Sequence, residues 1–211
     1  SGDAVSPQIA VYPSGNADTE WGVNLGLGCD VELTELLHVG FDGRCNFVTD
    51  ANNHRLEKFG TAGDYVATVG DENFRLPSGV AVDTNGNIYV VDAWQHCVMK
   101  YNSSGAYLFS FGQQGTGDGQ LDCPADVAVD SSGNVWVADT GNHRIQKFNS
   151  SGQYQSKFGS NGSGDGQFNK PSGIGIDGSG NIFVADAYNH RVQKFNSSGT
   201  FLDKFGSQGT G

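Results

Sequence analysis

Positive charge is what this sequence has least of. Its 211 residues carry 12 Lys and Arg against 23 Asp and Glu, a formal net charge of −11, with no basic run anywhere. Such a surface repels phosphate backbones and anionic lipid, so no nucleic-acid partner is expected. Long apolar runs are missing as well. No stretch approaches the ~20 residues of a membrane-crossing helix, so no membrane insertion is expected; the first residues do not read as a signal peptide, as is expected also of mature or truncated material. Neither a Gly-rich phosphate loop between strand and helix nor a nucleophile elbow is present. Ser, His and Asp are plentiful, but their spacing does not read as an enzyme and implies no cofactor.

Glycine is abundant at 32 residues, about twice the usual ~7% share, and it falls at fixed places within a recurring phrase. The phrase reads Asp50-Ala-Asn-Asn-His54-Arg55-Leu-Glu-Lys58-Phe59 at its first appearance. It returns from Asp92 to Tyr101, from Asp139 to Phe148 and from Asp186 to Phe195, at intervals of 42, 47 and 47 residues. A period of that size, with short alternating strands inside it, marks a β-propeller or a related array. The third repeat predicts strands over Ala125–Val129, Val135–Ala138, Arg144–Phe148 and Tyr154–Phe158, joined by Asp/Asn-Gly turns, and no helix. The expected fold is therefore all-β, built of four-stranded antiparallel blades.

Large side chains repeat with the same period. Phe47, Tyr89, Trp136 and Phe183 stand three residues before the leading aspartates. Phe59, Tyr101, Phe148 and Phe195 stand nine after them, and Val69, Phe111, Phe158 and Phe205 nineteen after. Rings at equal positions in successive sheets are what face-to-face packing needs, so all three sets are expected in the core between blades.

The phrases Asn53-His54-Arg55-Leu56, Asn142-His143-Arg144-Ile145 and Asn189-His190-Arg191-Val192 resemble the signature of NHL repeats, as do Gly79–Asp83 and Asn87–Asp92. The resemblance covers about residues 37–211. It implies a β-propeller, most often six-bladed, that serves mainly as a binding platform. A few members cleave or lyse small substrates, and some animal members bind RNA. The zinc site of the lyases does not map onto this chain residue by residue. Gln95-His96-Cys97 departs from the Asn-His-Arg pattern in the second repeat.

Residues 37–211 read as four full blades, in one domain with residues 1–36. Within that first segment Gln8–Tyr12 and Trp21–Leu25 look like the outer two strands of an earlier blade. Four blades and a half do not close a ring. Either the chain is part of a longer propeller, such as a six-bladed one, or its open edges pair with another chain as a homo-oligomer or filament.

What repeats is explained first by architecture. Asp50 with Arg55, Asp139 with Arg144 and Asp186 with Arg191 face each other across neighbouring strands, which suits a structural clasp between carboxylate and guanidinium. Cys97 leaves Asp92 without its arginine. His54, His96, His143 and His190 sit at equivalent places on diverging blades, too far apart to ring one metal ion; His96, His143 and His190 remain candidates for a binding face. The turns Asp83–Asn87, Asp130–Asn134 and Asp177–Asn181 are too short for a calcium loop. Of four cysteines, Cys97 with Cys123 is the first candidate disulfide and Cys29 with Cys45 the second; the alternative is four buried thiols. Asn102, Asn149, Asn161 and Asn196 satisfy the N-glycosylation pattern, and Asn-Ser-Ser-Gly is also an ordinary tight turn.

What breaks the repeat is Trp94 and Tyr188, in loops where the sister repeats have Gly141 and Asn52. They either bind a sugar ring or a peptide, or cover the ends of their own blades. The reading is a non-enzymatic, secreted or extracellular scaffold whose partner is a protein or glycan. A partial metal-dependent lyase or hydrolase of the NHL type is the alternative, and an RNA-binding propeller a more distant one.

Overall fold

The structure, a computed structural model, describes residues 39–41, 45–51, 53–60, 62–70 and 73–207. The half blade expected within residues 1–36 lies outside them, as do Cys29, His38 and Asn52. The described residues form four separate four-stranded antiparallel sheets, each with its strands in chain order. Blade 1 consists of β1 (Val39–Phe41), β2 (Cys45–Asp50), β3 (Arg55–Gly60) and β4 (Tyr65–Val69). Blade 2 consists of β5 (Pro77–Val82), β6 (Ile88–Asp92), β7 (Cys97–Tyr101) and β8 (Tyr107–Phe111). β9 (Asp126–Val129), β10 (Val135–Asp139), β11 (Arg144–Phe148) and β12 (Tyr154–Phe158) make blade 3. β13 (Pro171–Ile176), β14 (Ile182–Asp186), β15 (Arg191–Phe195) and β16 (Phe201–Phe205) make blade 4. The strands expected in the third repeat are matched within a residue.

Short polar side chains make the hairpins. Asp83 Oδ1 accepts the amides of Asn85 and Asn87, both at 2.9 Å, and Asn102 Oδ1 accepts those of Ser104 and Ala106 at 3.0 and 2.9 Å. Such self-bonded turns hold the register on both sides of blades 2, 3 and 4. One local expectation fails. The Asp139–His143 and Asp186–His190 loops contain single 3-10 turns, Thr140–Asn142 and Ala187–Asn189, because each closing histidine adopts the left-handed conformation and bonds back.

The innermost strands β1, β5, β9 and β13 stand beside one another in that order. A separate apolar cluster fills each joint: Phe47, Leu56, Ile88 and Tyr101 between blades 1 and 2; Tyr89, Phe111, Val137 and Phe148 between blades 2 and 3; Trp136, Ile145, Phe168 and Phe195 between blades 3 and 4. Each ring buries ~150–250 Å², worth about 4–6 kcal/mol gross at ~25 cal/mol per Å². Gly152, at φ +77°, lies where a Cβ would come within 2.8 Å of Phe111, so the turn of one blade seats directly on the ring of the previous one.

The ring positions are core only where a further blade covers them. Phe111 is 8% exposed and Val69 4%, but Phe205 at the same place in blade 4 is 56% exposed. Phe183 on the same side of blade 4, and Phe59 on the far side of blade 1, are half-buried. The expectation that all twelve pack inside is corrected at these ends.

Candidate binding face

One end of each blade carries two loops, the one between its second and third strands and the one leading into its first. The repeated aspartate ties them together. Asp139 Oδ1 accepts the Asp122 amide at 2.7 Å, while Oδ2 accepts Arg144 Nε at 2.7 Å and Gln146 Nε2 at 2.9 Å. Arg144 then donates from Nη1 to the Thr116 carbonyl and from Nη2 to those of Gly117 and Gln120, at 2.8–2.9 Å. Blade 4 repeats the arrangement with Asp186, Arg191 and Gln193. In blade 1 Arg55 keeps Asp50 at 3.0 Å but turns its other nitrogen to Glu57 at 2.8 Å. The Asp139–Arg144 and Asp186–Arg191 pairs hold loops, whereas Asp50–Arg55 joins neighbouring strands.

Blade 2 shows what sets the pattern. Pro77 follows Val69 by 8 positions, whereas Pro124 follows Phe111 by 13. The missing stretch is the one whose carbonyls Arg144 holds in blade 3, so an arginine at position 97 would have nothing to grip. Gln95 keeps the bonds that Asn142 makes at the same place in blade 3, donating to Asp92 Oδ2 at 3.0 Å and to the Asn73 carbonyl at 2.5 Å. Asp92 also accepts the Arg75 and Leu76 amides at 2.6 and 3.2 Å.

The histidines are joint pieces too. His96 Nδ1 accepts the Cys123 amide at 3.0 Å and His143 Nδ1 the Lys170 amide at 3.1 Å, each reaching the next blade. His54 Nδ1 also reaches the next blade, but there it donates, to the Arg75 carbonyl. His96 and His143 are thus taken up in packing rather than left for a ligand, while His190, on the uncovered blade 4, is exposed.

His96, Asp122 and Cys123 bring ligand-type atoms within 4.8 Å of one another. Here Nδ1 already serves the backbone and Cys123 is disulfide-bonded, so the group is not offered to a metal. The expected Cys97–Cys123 bridge does not form, since Cys97 is a free buried thiol. The reason is side-chain alternation along β7. Cys97 points into the joint between blades 1 and 2, and its neighbour Val98 into that between blades 2 and 3. Burial, with Asp92 beside it, pushes the Cys97 thiol up to about 12. Native protein at pH 8 is therefore expected to leave Cys97 unmodified by iodoacetamide, and guanidine-unfolded protein to react; rapid native alkylation would contradict this placement.

What stays uncommitted on this end is aromatic. Trp94 is 44% exposed and Tyr188 51% exposed, with Lys170 Nζ 5.5 Å from the Tyr188 ring centre. They stand on blades 2 and 4. Between them blade 3 has Gly141, where a Cβ would come within 2.4 Å of Asp122 Oδ2, so the middle loop admits no side chain. The opposite end holds a shallow cavity of about 260 Å³ between blades 3 and 4, lined by Asp130, Trp136, Ser179 and Ser197 among others. Asn102, Asn149 and Asn196 sit in turns at that end, their Oδ1 atoms accepting backbone amides. Asn161 lies exposed in the loop leading into blade 4.

Among the described residues no helix is long and apolar enough to cross a membrane. No curated protein sequence matches the chain. Solved structures do: a chain of a nidogen/laminin complex, 20% identical with a TM-score of 0.66, covers 80% of this chain and 62% of its own. Hydrazine synthase from Kuenenia stuttgartiensis is 15% identical with a TM-score of 0.63, over 87% of this chain and 52% of its own. Virginiamycin B lyase from Staphylococcus aureus is 13% identical with a TM-score of 0.60, over 81% of this chain and 55% of its own. The chain thus spans between about half and three-fifths of the length of these structures, and at such identities the likeness is one of fold. NHL repeats match residues 74–101, 121–148 and 168–195, which are blades 2, 3 and 4 up to their third strands together with the residues just before each. The chain belongs to the NHL-repeat β-propeller family.

Proposed function

We propose that this propeller is a non-enzymatic extracellular binding scaffold whose loop-bearing end takes a protein or glycan partner. The observation that carries the reading is the pair Trp94 and Tyr188, 44% and 51% exposed on an end where the repeated Asp, Arg and Asn of blades 3 and 4 are held in loop contacts. Exposed aromatics offer stacking area at little entropic cost, and Tyr adds a hydroxyl handle. The disulfide-bonded state of Cys123 supports an oxidising, secreted setting. In that setting Asn102, Asn149, Asn161 and Asn196 are glycan acceptors. The rival readings have less behind them: among the described residues the one cluster of ligating side chains, His96, Asp122 and Cys123, is already engaged, and a net charge of −11 disfavours RNA.

Arrays of glycans and of purified extracellular-matrix proteins test the reading. Binding seen with the native chain is expected to fall about tenfold or more for Trp94→Ala/Tyr188→Ala, the loss of two ring contacts, with the thermal midpoint unchanged. No binding to either array, or equal binding by both proteins, would refute it.

The uncovered side of blade 4 supports a second property, self-association. Phe205 is exposed there beside half-buried Phe183 and Val192, an apolar sheet face of the kind that recruits another sheet.

A further inference from the structure

We propose that the bare side of blade 4 packs onto the bare side of blade 1 of a second copy, repeating between chains the joint that each blade makes with the next. The inference rests on the self-association proposed for blade 4 and names the surface that meets it. On that face Phe183 lies opposite Lys194, and Val192 opposite Phe205. Trp136 with Lys147 and Ile145 with Phe158 are the same pairs in blade 3, where blade 4 covers them. In blade 2 they are Tyr89 with Lys100 and Val98 with Phe111, under blade 3. The lysine lies over the ring in all three, 4.6–5.3 Å from its centre. In both filled joints this pattern receives the side that a blade turns to the one before it. A blade is therefore the cover that fits the third copy of the pattern.

Blade 1 offers such a side, and among the described residues nothing fills it. In the filled joints the glycine of the outer turn seats on the preceding blade. A Cβ at Gly105, Gly152 or Gly199 would come within 3.4, 2.8 or 2.6 Å of Val69, Phe111 or Phe158. Gly63, at φ +84°, is the same glycine in blade 1, and among the described residues nothing lies within 4 Å of the Cβ it would carry. Beside it Phe59 and Tyr65 stand edge to face at 6.0 Å, as Phe148 and Tyr154 do at 6.3 Å in the joint between blades 2 and 3. Tyr65 is 58% exposed. Arg55 and Glu57 stand where Arg144 and Gln146 hold the loop arriving from the previous blade, and here they bond each other at 2.8 Å. Phe205 is thus a ring with no glycine turn over it, and Gly63 a turn with no ring beneath it. Because the two surfaces differ, the contact runs head to tail, and a pair of copies leaves one surface of each kind for the next.

Two capping variants test this. Phe205→Lys spoils the ring side and Tyr65→Lys the turn side, each by placing an ammonium where a joint must be dry. Both positions are more than half exposed, so the thermal midpoints are expected to match that of the native chain. In sedimentation velocity the native chain is expected to form species that grow with concentration, and each variant alone to stay a monomer. An equimolar mixture of the two variants is expected to reach twice the chain mass and nothing larger, because one intact ring side meets one intact turn side. Gly63→Asn keeps a left-handed turn while filling the seat, and is expected to behave as Tyr65→Lys does. A Tyr65→Lys chain that associates like the native one, with Phe205→Lys monomeric, would mean that blade 4 faces meet each other; that overturns the pairing and leaves self-association standing. A mixture that stays monomeric also overturns the pairing, and a native chain of one mass at every concentration removes both.

Discussion

Replacing Asp139 with Ala is expected to cost the folded protein about 3–5 kcal/mol, the usual penalty for breaking a buried ion pair by removing one partner. The Asp139 side chain is fully buried and that of Arg144 is 8% exposed. Truncation strands Arg144 Nε and the Asp122 amide in one step and takes from Gln146 Nε2 one of its two acceptors. It also loosens the loop that Arg144 grips through Thr116, Gly117 and Gln120. Asp50→Ala in blade 1 removes the same letter of the same phrase, yet its pair is 44% and 23% exposed. A pair that open is worth about 0–1 kcal/mol. Urea unfolding of the two variants side by side measures the difference, and equal losses would mean that burial does not set the strength of the clasp.

The sequence carried the blades almost whole, because each local choice agrees with the fold. Alternation, Asp/Asn-Gly turns and recurring rings all point to the same four-stranded unit. It also held a signal in blade 2 that is easy to pass over. The shortened interval before Asp92 and the loss of arginine at position 97 are one event, since the loop that loses five residues is the loop an arginine there would hold. Met99 in place of the glutamine found at 146 and 193 belongs to the same change. The histidine joints were harder to foresee, because their partners are backbone amides of the next blade, which no side-chain motif announces. The cysteines misled for a simpler reason. Residue spacing put Cys97 at the correct end of its strand, but the side of the sheet it faces depends on register, and one position decides it.

Phe111→Ala is expected to lose about 3–5 kcal/mol, as for other buried aromatic truncations. Its ring is 8% exposed, lies 4.9 Å from that of Phe148 and is roofed by the Gly152 turn. Phe205 occupies the same position one blade short of any cover, 56% exposed, so Phe205→Ala is expected to change monomer stability by no more than ~0.5 kcal/mol. The contrast separates what the residue is from what lies against it. A large loss at Phe205 would mean that its face is already filled by part of the same chain. Self-association gives the position a second readout. If the bare face of blade 4 recruits another sheet, sedimentation equilibrium of the native chain shows mass rising with concentration, and Phe205→Lys abolishes the rise, because an ammonium on that face must be desolvated wherever a partner lands. A native chain that stays at one mass from micromolar to millimolar concentration, with Phe205→Lys indistinguishable from it, would remove self-assembly from the functions of this fold and leave the aromatic pair on the loop-bearing end as its binding surface.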